Sequence, residues 1–285
     1  MTSPPQCSVA SLEAAEPLAG TATDSIDRWI LLEVTDPWAS EAIDTEALPD
    51  PVRARLSEWL QEPRTRFQLI RRPGRVGKSR RLMVISSHGE RNAAAKLELD
   101  RYEDLLDVDP ATLRVGAAES IWLVCVHGRR DRCCALHGGA VFRAMQTHGA
   151  EVWQCSHLGG HRFAACVLSL PDGFMYGRLR AEHAPRLIAA HEAGELGDLG
   201  LLRGRCSFDR PTQAAEVFLR QRLGIVGRAD LEWLGTSLED NSTWRAGFRV
   251  AEGEQTVRVK REQTNAMRPA SCGADPEPVT RFVEA

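Results

Sequence analysis

Cys125 and Cys134, followed by His157 and His161, restrict the possible folds of this chain more than any other feature. They lie in CVHGRRDRCC (125–134) and HLGGH (157–161). Two thiolates and two imidazoles complete a four-coordinate set for a metal. Such a set forms only if both stretches reach the same place, and the surrounding pattern provides a way. Ile121–Val126 reads as an apolar strand with Cys125 near its end. Ala135–Thr147 reads as a helix with Cys134 at its mouth, and Glu151–Cys155 as a short strand leading to His157. Loops at the carboxyl ends of sheet strands are the usual ligand-binding places in α/β folds. A helix N-terminus favours a thiolate, and Arg129, Arg130 and Arg132 add positive charge. Gly159 and Gly160 allow the histidine segment to bend tightly round a bulky group.

The donor set suits zinc, and it equally suits a [2Fe–2S] cluster with thiolates on one iron and imidazoles on the other. Its spacing matches neither the usual zinc-finger pattern nor the paired boxes of Rieske centres. Cys133 adjoins Cys134, so either is a candidate ligand, and Cys155 lies two residues before His157. Cys166, in an apolar stretch, reads as core. Cys7, Cys206 and Cys272 read as isolated structural residues. His127 and His137 read as hydrogen-bonding or surface residues, with a supporting place beside the ligands as the alternative for His127.

Basic and acidic residues nearly balance, 36 against 39 in 285 residues, which gives no electrostatic reason to expect nucleic acid. No apolar run approaches the roughly 20 residues needed to cross a bilayer. The polar start, MTSPPQCSVASLEAAEPLAG, does not resemble a signal peptide. Five of the eight cysteines crowd between Cys125 and Cys166. A reducing, cytoplasmic setting with thiols free or metal-bound is therefore expected. GKS at Gly77–Ser79 is not a P-loop, because the required earlier glycine is Arg72.

Residues 1–27 are expected to be a flexible lead. Residues 28–115 are expected to be an N-terminal α/β region, with strands Trp29–Val34, Phe67–Ile70 and Leu82–Ile85. A helix is expected over Asp50–Leu60, capped by Asp50, and a helical or irregular arm over Ala93–Leu105. Residues 116–285 restart the pattern. Pro171-Asp172-Gly173 marks a hairpin, Pro185–Ala193 and Thr212–Leu223 read as helices, and the tail holds strands at Trp244–Val250, Gln255–Lys260 and Val279–Val283. The N-terminal strand–helix–strand–strand order loosely echoes the middle one. The alternation suits an α/β sheet covered by helices.

At these residues the chain resembles the sucrase/ferredoxin-like family. The matching phrases are CVHGRRDRCC (125–134), HLGGHRFAA (157–165), LPDGFMYGRL (170–179) and TQAAE (212–216), with weaker likeness at EPLAGTA and ASCGADPEPV. The resemblance implies a thioredoxin-like ferredoxin fold with a mixed sheet and an N-terminal α/β extension or second domain. It implies a [2Fe–2S] cluster on Cys125, Cys134, His157 and His161, with Cys133 at a position that other members fill differently. The implied role is electron transfer or redox homeostasis, an electron carrier more than a substrate-converting enzyme. Its partner would be a redox protein or a small-molecule electron donor or acceptor. A zinc-stabilised binding module and a thioredoxin-like thiol oxidoreductase are the alternatives. No pair of carboxylates is arranged for glycoside chemistry, so the word sucrase finds no support.

Overall fold

A computed structural model describes residues 6–74, 79–87, 92–110, 112–113, 116–117 and 119–285. The part of the GKS loop at residues 75–78 lies outside the described residues. In chain order the elements begin with α1 (Cys7–Glu13), β1 (Arg28–Glu33), α2 (Asp50–Trp59), β2 (Thr65–Arg71), β3 (Arg80–Ser86), β4 (Ala93–Leu99) and β5 (Gly116–Ala117). Then come β6 (Ile121–Cys125), α3 (Arg132–Thr147), β7 (Val152–Cys155), β8 (Val167–Leu170), β9 (Phe174–Tyr176), α4 (Ala184–Glu192), β10 (Leu202–Arg205) and α5 (Arg210–Leu223). The chain closes with β11 (Glu232–Asp240), β12 (Thr243–Val250), β13 (Gly253–Pro269) and β14 (Pro276–Glu284).

Among the described residues, ten strands form one mixed sheet in the order β10-β9-β8-β6-β7-β2-β1-β3-β4-β5. Its two halves repeat one plan. β6 runs parallel to β7 and antiparallel to β8, which pairs antiparallel with β9. Likewise β1 runs parallel to β2 and antiparallel to β3, which pairs antiparallel with β4. A helix crosses over between the parallel strands of each pair, α3 in one half and α2 in the other. The halves meet edge to edge at β2 and β7, with Ile70 opposite Cys155. Residues 28–117 therefore extend the same sheet, and the order β6–α3–β7–β8–β9–α4 is thioredoxin-like. The chain is a mixed α/β protein with an additional small sheet.

Alternation along the strands builds the core. Trp29 and Leu31 of β1 share one apolar cluster with Leu123 and Cys125 of β6 and with Trp153 and Cys155 of β7. The intervening Trp122 and Val124 pack under α3, and Ile30 and Leu32 pack under α2. Helices α2 and α3 thus cover the same face. Leu18 and Ala22 of the N-terminal segment join the other. The second sheet, β11-β12-β13-β14, is an antiparallel meander. Its Ala246, Phe248, Val257 and Val259 close on Ala214, Ala215 and Leu219 of α5. Helix α5 therefore lies between the two sheets.

Three expectations need correction. Residues 93–99 form strand β4, in unbroken antiparallel register with β3 from Arg80–Leu99 to Ser86–Ala93. The residue before α2 is Pro49, so Asp50 and Pro51 lie inside its first turn, and Asp50 bonds to Arg53. The expected flexible lead contains α1, with Cys7, Ser8, Ala10 and Ser11 buried. Further along it, Gly20 N–H donates to Arg203 O and Ile26 N–H to Cys206 O, at 3.0 and 2.8 Å. Among the described residues, no helix is long and apolar enough to cross a membrane.

Candidate metal centre

The site lies at the carboxyl ends of the parallel pair β6 and β7. Every residue of β6 is buried, and Cys125 ends it directly opposite Cys155. The 126–131 loop then turns into α3, which Asp131 caps by accepting a hydrogen bond from the Cys133 N–H. Cys134 thus sits in the first turn of α3. One turn later Gly138 lies on the Cys125 carbonyl, so close that a Cβ there would be 2.1 Å from the oxygen. The absence of a side chain at 138 lets the helix lie against the strand where Cys134 meets Cys125.

The histidines come from the loop after β7. Both expected glycines are needed there. Gly159 and Gly160 have φ of +98° and +71°, in the region that favours glycine. A Cβ on Gly160 would strike the Arg203 guanidinium, and one on Gly159 the Thr23 hydroxyl. Arg203 is fully buried. It donates to Gly159 O at 2.9 Å, to Cys166 Sγ at 3.3 Å, and to Thr21. The Thr23 hydroxyl donates to Leu158 O. The N-terminal half of the sheet holds the other side of the loop, where Arg66 and Gln68 of β2 donate to His157 O at 3.0 and 3.3 Å.

These constraints bring one ligand-type atom each of Cys125, Cys134 and His157 within 4.8 Å of one another. Cys134 Sγ is 3.8 Å from His157 Nδ1. His161 is not within that distance of all three; it stands beside His157, its ring centroid 5.0 Å away and its plane tilted by 30°. Its Nε2 lies 2.8 Å from Ala270 O, a carbonyl that can only accept, so Nε2 carries the hydrogen. In the neutral ring Nδ1 then holds a free lone pair. That atom is buried and has no hydrogen-bond partner among the described residues.

Charge follows the same layout. A hydrogen bond from Cys134 draws the Cys125 pKa well below the usual thiol range against the penalty of burial, with further help from His157 and the His127 N–H. The Cys134 thiol moves up for the converse reason, that hydrogen bond first and burial next. Burial, then the neighbouring His157, lowers the His161 pKa and favours the neutral imidazole that metal coordination requires.

Other candidates separate from this group. Cys133 and Cys134 are consecutive on a helix and point about 100° apart. Cys133 joins Cys7, Asp131 and Cys272 instead. Cys155 is fully buried in the core, and burial raises its thiol well above the ordinary range. Burial pushes Cys166 up to about 11. Cys206 also lies in the core. His127 Nε2 lies 2.8 Å from Ala39 O, and His137 Nε2 3.2 Å from Ser8 Oγ. Arg162 does not face the group as a free charge: it binds both oxygens of the buried Glu16, at 2.9 and 3.0 Å. Arg130 pairs with Glu41. Arg66 and Arg203 were not singled out in the sequence, because each lies far from both motifs and in an unremarkable strand. The expected glycine pair was the only local sign that something would press against that loop.

A buried thiol pair with two neighbouring imidazoles, at the open end of a parallel strand pair, offers donors of the kind that can hold a metal. Residues 18–204 match the sucrase/ferredoxin-like family, and the chain belongs to that family. Among solved structures, two cysteine-to-serine variants of the thioredoxin-like [2Fe-2S] ferredoxin from Aquifex aeolicus are similar over a short part. They share 18% and 20% identity with this chain, each with a TM-score of 0.27, and the likeness covers 30% of this chain and all of theirs. A comparison with curated proteins gave no match.

Proposed function

We propose that Cys125, Cys134, His157 and His161 hold a [2Fe–2S] cluster and that the protein is a one-electron carrier. The orphaned Nδ1 of His161 supports this reading most directly. A buried ring nitrogen with a free lone pair is costly unless it binds something. Its position beside His157, with two sulfurs adjacent, fits a centre with imidazoles on one side and thiolates on the other. When bound, the cluster supplies reversible uptake of one electron.

The chain's own residues fix the donors for that role. Ala270 O holds the His161 tautomer, and Arg203, Arg66 and Gln68 hold the histidine loop through its carbonyls. Outer contacts of this kind orient ligands and tune a centre. The hydrogen bond between Cys134 and Cys125 draws the Cys125 thiol toward the thiolate form that binds a metal. Leu158 and Phe163 are fully buried beside the donors and limit water there. The partner would be a redox protein or a small-molecule electron donor or acceptor, and the setting a reducing one such as the cytoplasm.

Iron and acid-labile sulfide analysis with EPR tests the proposal on wild type, His157→Cys and His161→Cys. Equal iron and sulfide are expected, with each variant keeping a cluster of altered spectrum. A colourless protein that binds only zinc would replace this reading with a zinc-stabilised module. Unaltered spectra would remove the histidines from the ligand set.

A further inference from the structure

We propose that Cys7, Cys133 and Cys272, together with the Asp131 carboxylate, form a second metal site that binds a single zinc ion. The donors come from α1, the first turn of α3 and the β13–β14 connection. The two outer cysteines are separated by 265 positions, and both lie outside the family-matched span. Despite that, the three sulfurs form a nearly equilateral triangle. Cys7 Sγ is 3.6 Å from Cys133 Sγ, Cys133 Sγ is 3.4 Å from Cys272 Sγ, and Cys272 Sγ is 3.7 Å from Cys7 Sγ. A zinc–sulfur bond of about 2.3 Å gives a tetrahedral edge of about 3.8 Å, so the triangle is close to one face of a zinc tetrahedron.

Asp131 supplies the fourth vertex. Its Oδ1 lies 3.3 Å from Cys272 Sγ and 3.7 Å from Cys7 Sγ. A tetrahedral edge between sulfur and a carboxylate oxygen is about 3.5 Å, which those two distances bracket. The carboxylate is fixed from outside: Cys133 N–H donates to Oδ1 and Cys272 N–H to Oδ2, each at 2.8 Å. The Ser8 hydroxyl donates to Cys133 Sγ at 3.3 Å. Ligands oriented by a second set of contacts are the mark of a built metal site.

Other occupants fit less well. A disulfide would join two of the three sulfurs and leave the third and the carboxylate without a role. A [4Fe–4S] cluster gives each thiolate its own iron, so it does not bring three sulfurs to one vertex spacing. Three thiolates and a carboxylate around one small volume favour zinc over the hard, oxygen-seeking cations. On binding, the three thiol protons pass to solvent and no oxidation state changes. The ion would pin α1 and the β13–β14 connection to α3, beside His161. Asp131 Oδ2 is already 3.8 Å from His161 Nε2.

Zinc and iron are to be measured by mass spectrometry on reduced, exhaustively dialysed wild type and on the Cys7→Ser, Cys272→Ser double variant. The variant is expected to carry about one zinc per chain fewer, with its iron unchanged. Equal zinc in the two proteins overturns the proposal, whichever metal the Cys125 site holds. Wild type alone gives a second reading that does not depend on the variant's folding. Zinc added to chelator-stripped, reduced protein should slow alkylation of the partly exposed Cys272, mapped by peptide mass. Alkylation at the same rate with and without zinc also overturns it.

Discussion

Replacing Gly138 with alanine separates helix propensity from the geometry of the site. In an exposed helix, glycine to alanine stabilises by about 1 kcal/mol. At position 138 the new Cβ would lie 2.1 Å from Cys125 O, 3.1 Å from its carbonyl carbon and 3.2 Å from Val126 Cγ1. The nearest obstacle is backbone of a central strand and cannot rotate aside. Relief needs a helix–strand displacement of about 1.5 Å, because non-bonded heavy atoms rest near 3.5–4.0 Å. Overpacking of this kind costs about 3 kcal/mol at the upper end of its usual range. The net expectation for Gly138→Ala is a loss of about 2 kcal/mol. Gly139 provides the control one residue on, since its Cβ would meet only Arg143 Nη1, at 3.6 Å. Gly139→Ala should therefore gain up to about 1 kcal/mol. Urea denaturation of both variants, with unchanged m-values, measures the difference. If Gly138→Ala proved as stable as wild type or more so, the contact that seats Cys134 against Cys125 would be refuted.

Arg203→Met should cost about 3 kcal/mol in the same assay, through lost charge-assisted bonds to Gly159 O, Cys166 Sγ and Thr21. It should also speed loss of bound metal to a chelator, and an unchanged loss rate would count against its hold on the histidine loop. Glu16→Gln leaves Arg268, only 4% exposed, with the exposed Glu277 as its remaining countercharge, and should destabilise by about 2–3 kcal/mol through the lost charge-assisted bonds. Burial opposes the Glu16 charge, yet hydrogen bonds and charge from Arg268 and Arg162 lower its pKa below the ordinary 4.5. Its stabilising contribution is therefore full above that value and is lost as pH falls through the lower folded-state value. Wild type should thus keep its advantage over the glutamine variant above about pH 4.5 and lose it as pH falls below that. A gap independent of pH would contradict this.

The candidate donor positions were legible in the sequence because their chemistry is local. Cys125 ends an apolar run, Cys134 stands at the mouth of a helix, and the paired glycines mark a tight loop. The echo between the two strand–helix–strand–strand orders is also real, and appears as two matching halves of one sheet. β4 was obscured because AAAKLEL favours a helix, whereas pairing with β3 makes it a strand. β10 has four residues, LRGR, too few to show a period, so Arg203 carried no signal. Cys7 and Cys272 looked isolated because only the folded β13–β14 connection and α1 bring them together. No spacing rule reaches across such a distance.

Pulsed EPR on reduced protein containing heavy-nitrogen histidine tests the central claim most directly. Two histidine nitrogens should couple to the electron spin, and His161→Cys should remove one of them while the cluster remains. A reduced centre without nitrogen coupling, or with both couplings intact in that variant, would contradict the account.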